Sequence, residues 1–438
     1  MRIKEYSSYK DSHIDWVGKI PSHWKTLRTT DLSYQNKIKN IATVEKNLLS
    51  LSYGNIIEKD YDTAFGLLPA SFETYQIVKP GTIILRLTDL QNDKKSLRVG
   101  LAKVKGIITS AYLGLVFNKE IDSFFMYYLL YSFDILKVFY SQGGSMRQSM
   151  KFDDFKSIQI IVPLLKEQTA IANYLNTKTQ LIDSKVSLLE KKIGYYQELR
   201  KSLINDTVTH GFNKSVKLEQ NELGFKTPTS WFKYRLKDLG KLFSGLSGKS
   251  GDDFNQDDNP DNKGFIPFTN IANNTYLKRD HLGTVVVAEG ERQNKVRQGD
   301  IFFLMSSEGY EDIGKTAVLA ENIEETYLNS FCKGYRVNAH KCNPFYLNYL
   351  MLSDYYRQIL IIEGKGFTRI NLKMEKVNDF LVYIPDSLTA QEEIVQFLDT
   401  KLDTIAKIIK NVQTQITTLK ELRKTLINDV VTGKIKVV

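Results

Sequence analysis

Residues 198–209 read ELRKSLINDTVT and residues 421–432 read ELRKTLINDVVT, the same residue at ten of twelve positions. Other segments repeat in the same order. IPSHWKTLRTTDL (20–32) matches TPTSWFKYRLKDL (227–239) through Pro21/Pro228, Trp24/Trp231, Arg28/Arg235, Asp31/Asp238 and Leu32/Leu239, an offset of 207. VKPGTII (78–84) is similar to VRQGDIF (296–302), at 218. FFMYYLLYS (124–132) pairs with FYLNYLMLS (345–353), at 221. GSMRQSMKFDDFKSIQIIVP (144–163) pairs with GFTRINLKMEKVNDFLVYIP (366–385), at 222. One order and a slowly growing offset are the mark of an internal duplication. Each unit is domain-sized and far too long for a solenoid repeat.

The 438 residues, 42% hydrophobic and 25% charged, supply enough apolar side chains for real cores. Apolar runs such as SIQIIVPLL (157–165) are too short to span a bilayer, and the first residues, MRIKEYSSYK, lack a signal-peptide core. The two cysteines, Cys332 and Cys342, fit a reducing compartment, so cytoplasmic residence is the expectation. A formal charge of +10 leans weakly toward a polyanionic partner.

Each unit divides in two. The first part mixes β-type runs (82–87, 283–290) with turn clusters such as NQDDNPDNKG (255–264), and one helix is expected near 122–140 and near 344–362. This is an α+β globule. The second part, about 166–208 and 389–431, contains no proline and one glycine, Gly194. Apolar residues recur there in steps of three, four and seven. They are Ile171, Leu175, Ile182, Val186, Leu189, Ile193, Tyr196 and Leu203 in the first copy, and Ile394, Leu398, Ile405, Ile409, Val412, Ile416, Leu419 and Leu426 in the second. A seam this narrow on a helix of about 60 Å needs another helix to lie against, and the obvious partner is its own copy. The seam alone leaves parallel and antiparallel pairing open. A two-fold axis perpendicular to the rods would make them antiparallel, with the globules at opposite ends. The expected domains are 1–165 and 210–388 for the globules, with 166–209 and 389–438 for the long helices.

Four features together are similar to the specificity subunits of type I restriction–modification enzymes. They are Trp16, Gly18, Ile20, Pro21 and Trp24; the G-x-x-R of Gly144–Arg147 and Gly366–Arg369; a proline-to-glutamine element leading into each long helix; and the repeated L-I-N-D helix end. The proline-to-glutamine element has Pro163 with Glu167-Gln168 and Pro385 with Gln391-Glu392, an order that differs between copies and suggests drift. The resemblance implies two target recognition domains separated by an antiparallel coiled coil of two long helices with pseudo-two-fold symmetry. It implies a chain without catalysis of its own that reads a bipartite, asymmetric double-stranded DNA site. Two methyltransferase subunits and restriction (nuclease and translocase) subunits are the implied partners, and no membrane. S-adenosylmethionine, ATP and Mg are then expected on the partners, with no cofactor or metal on this chain.

Base readout calls for Arg, Lys, Asn and Gln on loops, and phosphate contact for cations and backbone N–H groups. The loop 85–100 offers Arg86, Asn92, Lys94, Lys95 and Arg98; its counterpart, 304–315, offers Ser306, Ser307 and Lys315. Gly144, Arg147, Gly366 and Arg369 repeat and are assigned to phosphate. Two alternatives of another class remain, a self-sufficient methyltransferase or nuclease and a protein-only coiled-coil scaffold. Motifs for the first are missing. LFSGLSGKSGDD (242–253) has Phe243 where a phosphate loop needs glycine. NPFY (343–346) lacks the second proline of the amino-methyltransferase motif, and its Asn343-Pro344 reads as a helix start. Cys332, His340 and Cys342 are three potential ligands in no zinc spacing.

Overall fold

The computed structural model describes residues 5–60, 71–88, 90, 96–141, 149–212, 215–256, 259–366 and 368–437. The chain forms two compact units. Unit 1 combines residues 1–190 with 413–438, and unit 2 comprises residues 191–412. Both long helices pass from one unit into the other: Leu165–His210, the first stem, and Leu388–Val431, the second stem.

In unit 1, one sheet runs Ser33–Gln35, Leu113–Phe117, Ile83–Leu85, Val99–Leu101 in spatial order. A second runs Asn55–Lys59, Leu48–Ser52, Gly106–Ile108, Gln76–Val78. In unit 2 the main sheet is Gly240–Ser244, Cys332–Val337, Ile301–Leu304, Thr316–Leu319, Tyr276–Leu277. Strands such as Ile83–Leu85 and Ile301–Leu304 are buried throughout, which explains why they read as continuous apolar runs without alternation. The helix expected near 122–140 is two helices, Ser123–Ile135 and Val138–Ser141, broken at Lys137 with φ +61°. Its counterpart is also two, Pro344–Leu352 and Asp354–Glu363, parted at an extended Ser353.

The duplication is reproduced residue by residue. Lys25–Arg28 pairs antiparallel with Gln159–Val162, with Arg28 opposite Gln159 and Lys25 opposite Val162. Phe232–Arg235 pairs with Leu381–Ile384, with Arg235 opposite Leu381 and Phe232 opposite Ile384. The two strands of the ladder carry the offsets 207 and 222 read from the sequence.

The proline-to-glutamine elements differ by a one-residue slip that leaves their bonds intact, so the apparent drift is corrected. The Gln168 amide donates to the Pro163 carbonyl (2.9 Å) and accepts from the Asp122 N–H (2.8 Å). Gln391 donates to the Pro385 carbonyl (2.8 Å) and accepts from the Asn343 N–H (2.7 Å). Asp122 and Asn343 are in turn the N-caps of the helices that follow, each accepting from two backbone N–H groups. Both glutamines are fully buried. Gln391→Leu strands a buried donor and a buried acceptor and should cost about 1–3 kcal/mol; a lowered urea midpoint for unit 2 would register it, and an unchanged midpoint would refute it.

Within each unit the stems run antiparallel. In unit 1, Arg423 Nε lies 3.0 Å from an Asp183 oxygen and Lys420 Nζ 3.3 Å from Glu190. In unit 2 the rings of Phe212 and Phe397 meet edge to face at 4.9 Å. Each helix start packs on the globule that precedes it, and each helix end completes the core of the other unit. Ile171 and Leu175 share the unit 1 core with Ile427, Val430 and Val431 from the end of the second stem. Ile394, Leu398 and Ile405 share the unit 2 core with Ile204 and Val208 from the end of the first. Val412 and Ile416 are buried, and Ile182, Leu189 and Ile193 half-buried. One correction concerns the L-I-N-D ends. Leu203 and Leu426 are only half-buried, and the neighbouring Ile204 and Ile427 take the core positions. The seam turns by one residue there because the helix leaves its partner and meets a globule.

Candidate nucleic-acid interface

In both units the residues that leave a central strand pair with the residues that follow G-x-x-R in the sequence. In unit 1 the Met150 N–H donates to the Leu87 carbonyl (2.8 Å), and Thr88 and Ser149 form an isolated bridge. In unit 2 the Leu372 N–H donates to the Met305 carbonyl (2.8 Å), and Ser306 and Ser307 pair with Asn371 and Ile370. The frame thus pairs short stretches that lie some 60 residues apart in the sequence.

Arg98 is corrected from the expected contact set. It is fully buried, its Nη1 donating to the carbonyls of Arg86 (3.0 Å) and Thr88 (2.7 Å) and its Nε to the Tyr140 hydroxyl (2.8 Å). It ties the loop to the globule and cannot reach a base. Arg86 is half-buried. Asn92, Lys94, Lys95, Gly144 and Arg147 lie outside the described residues.

In unit 2, Ser306, Ser307 and Arg369 line one cavity of about 300 Å³ with Phe268, Asp312 and Phe331. Ser307 is buried and its hydroxyl accepts from the Gly309 N–H (3.2 Å). Lys315 is partly neutralised by Asp312 at 2.6 Å. Gly366 has φ +148°, and a Cβ there would run into the Arg369 carbonyl, so the loop needs glycine at this position. The Arg369 guanidinium carbon lies over the ring of Phe331, 5.3 Å from its centroid. Neither Phe268 nor Phe331 was expected from sequence. The signal was present in the unlike residues of two matched stretches, SAYLG (110–114) and SFCKG (330–334).

Cys332 and Cys342 are buried, which pushes both thiols up to about 12. Among the described residues no three His, Cys, Asp or Glu side chains gather into a metal site. No described helix is long and apolar enough to cross a membrane.

The family model for the type I restriction modification DNA specificity domain matches twice, over residues 83–193 and 228–418. The chain belongs to this family. The first match takes in the later part of the first globule and the start of its stem, and the second takes in most of the second globule and its stem. A putative type I restriction enzyme MjaX specificity subunit of Methanocaldococcus jannaschii is 32% identical over 218 residues, about half the length of each chain at 47%. The MjaIX specificity subunit of the same organism is 21% identical over 96% of this chain and 95% of its own. Two solved structures share the fold. One, from a study of complex assembly and conformational transition of the type I R-M system, has a TM-score of 0.69 at 15% identity, covering 94% of this chain and 98% of that one. The other, the HsdS subunit from Thermoanaerobacter tengcongensis, has a TM-score of 0.54 at 14% identity, covering 95% and 98%. As a member of the specificity family the chain selects DNA sequence in a type I restriction–modification system, a role distinct from that of the catalytic subunits.

Proposed function

We propose that the chain reads a split, asymmetric double-stranded DNA site, one half-site per unit, and addresses two methyltransferase subunits and restriction subunits to it in the cytoplasm. S-adenosylmethionine, ATP and Mg then belong to those partners. The observation that carries this reading is a shared frame holding unlike loops. Ladder register, glutamine clamps and loop placement coincide in the two units, whereas Thr88 stands where unit 2 has Ser306 and Ala111 where it has Phe331. A repeated frame with divergent tips is what two readers of different base sequences require. Arg86, Ser306, Ser307 and Lys315 are the described candidates for this contact, with Arg147 a candidate for phosphate.

The decisive measurement is a genome-wide map of methylated bases in cells carrying this chain with its methyltransferase partner. Two short, dissimilar half-sites at a fixed gap are the expected result. Methylation without a motif, or DNA affinity that does not fall with salt, would overturn the proposal.

A further inference from the structure

We infer that Arg369, held over the ring of Phe331, is the residue with which unit 2 reads a guanine in its half-site; this rests on the proposed function above. Guanine is the base that arginine reads best, through paired donation to O6 and N7, and the planar guanidinium fork makes that two-pronged contact in a fixed geometry. Contact with an aromatic face limits where the guanidinium can turn, and lysine, with no planar fork, gains no such orientation from it. The geometry is in place: the guanidinium carbon is 5.3 Å from the Phe331 centroid, Phe331 is 55% exposed and the Arg369 side chain 51% exposed. The pair is therefore open to a ligand. Its nearest carboxylate, Glu308, lies 4.0 Å away and is itself 88% exposed, a contact too weak to fix the arginine. Ser306 and Ser307 line the same cavity and offer hydroxyls to the neighbouring base edge.

A phosphate anchor would need only the charge, and the repeated arginine alone suggested one. The ring decides between the two roles. In unit 1 the strand Leu113–Phe117 sets Gly114 opposite Ile84, and in unit 2 Cys332–Val337 sets Gly334 opposite Phe302. Counting back three residues from each glycine places exposed Ala111 where unit 2 has Phe331. Among the described residues this position carries a ring in unit 2 and a methyl group in unit 1, a divergence expected of a specificity element and not of a frame element.

The test uses the full chain assembled with its methyltransferase subunits, methylation mapping, and binding of a duplex carrying the mapped wild-type motif at several salt concentrations. Arg369→Lys should lose discrimination at one G·C pair of one half-site by about ten- to hundredfold, with the other positions and the salt slope unchanged. Phe331→Ala, a surface change that spares the core, should weaken the same position by a smaller factor. Wild-type discrimination in Arg369→Lys, together with a uniform loss and a salt slope lower by about one in Arg369→Ala, would make Arg369 a phosphate anchor and overturn the inference. A wild-type complex that methylates no bipartite motif would instead overturn the proposed function.

Discussion

Ile427→Ala should destabilise unit 1 by about 2–5 kcal/mol, although Ile427 lies hundreds of residues from that unit's first strands. Its side chain is fully buried in the unit 1 core, in the cluster that contains Trp24, Leu129 and Phe133. Removing it leaves a cavity that helices anchored on both sides cannot close. Ile204→Ala should do the same to unit 2, where the residue sits with Tyr346 and Leu350. The adjacent Leu426→Ala and Leu203→Ala should each cost less, because those side chains are half in water. Two units are expected to give two unfolding transitions, so each isoleucine variant should move its own transition alone. Denaturation followed by limited proteolysis would assign them. A leucine variant that destabilises more than its isoleucine neighbour would return the seam to the position read from sequence.

The second large effect concerns spacing. One heptad inserted in each stem, between Glu190 and Lys191 and between Val412 and Gln413, adds about 10 Å of helix. Those points are the boundaries at which both stems pass between units. At about 3.4 Å per base pair, the gap in the methylated motif should lengthen by about three base pairs, while the bases of both half-sites stay the same. Motif maps before and after insertion would decide it. An unchanged gap would detach helix length from site spacing, and altered half-sites would place base readout on the stems.

The duplication and the stems were legible because frame residues are constrained twice over, once in each copy. Trp24/Trp231 and the L-I-N-D ends survive as visible pairs for that reason. The glutamine clamp was visible but misaligned, since Gln168 and Gln391 differ by one residue in their distance from proline and only the shared hydrogen bonds reveal the equivalence. Arg98 was misjudged because arginine is seldom fully buried; its burial depends on carbonyls and a tyrosine that come together only in the folded loop. Phe331 was missed because a single loop aromatic carries no periodic signal. Its meaning comes from Arg369, 38 positions later in the chain.

The exchange of helix ends also sets an order of maturation on the ribosome. Unit 1 starts to emerge before unit 2, yet residues 413–438 that finish its core are translated only after the whole of unit 2. At about 5–20 residues per second its nascent apolar notch stays open for tens of seconds. Unit 2 has every one of its residues before then, so the half that starts first is the one that matures last.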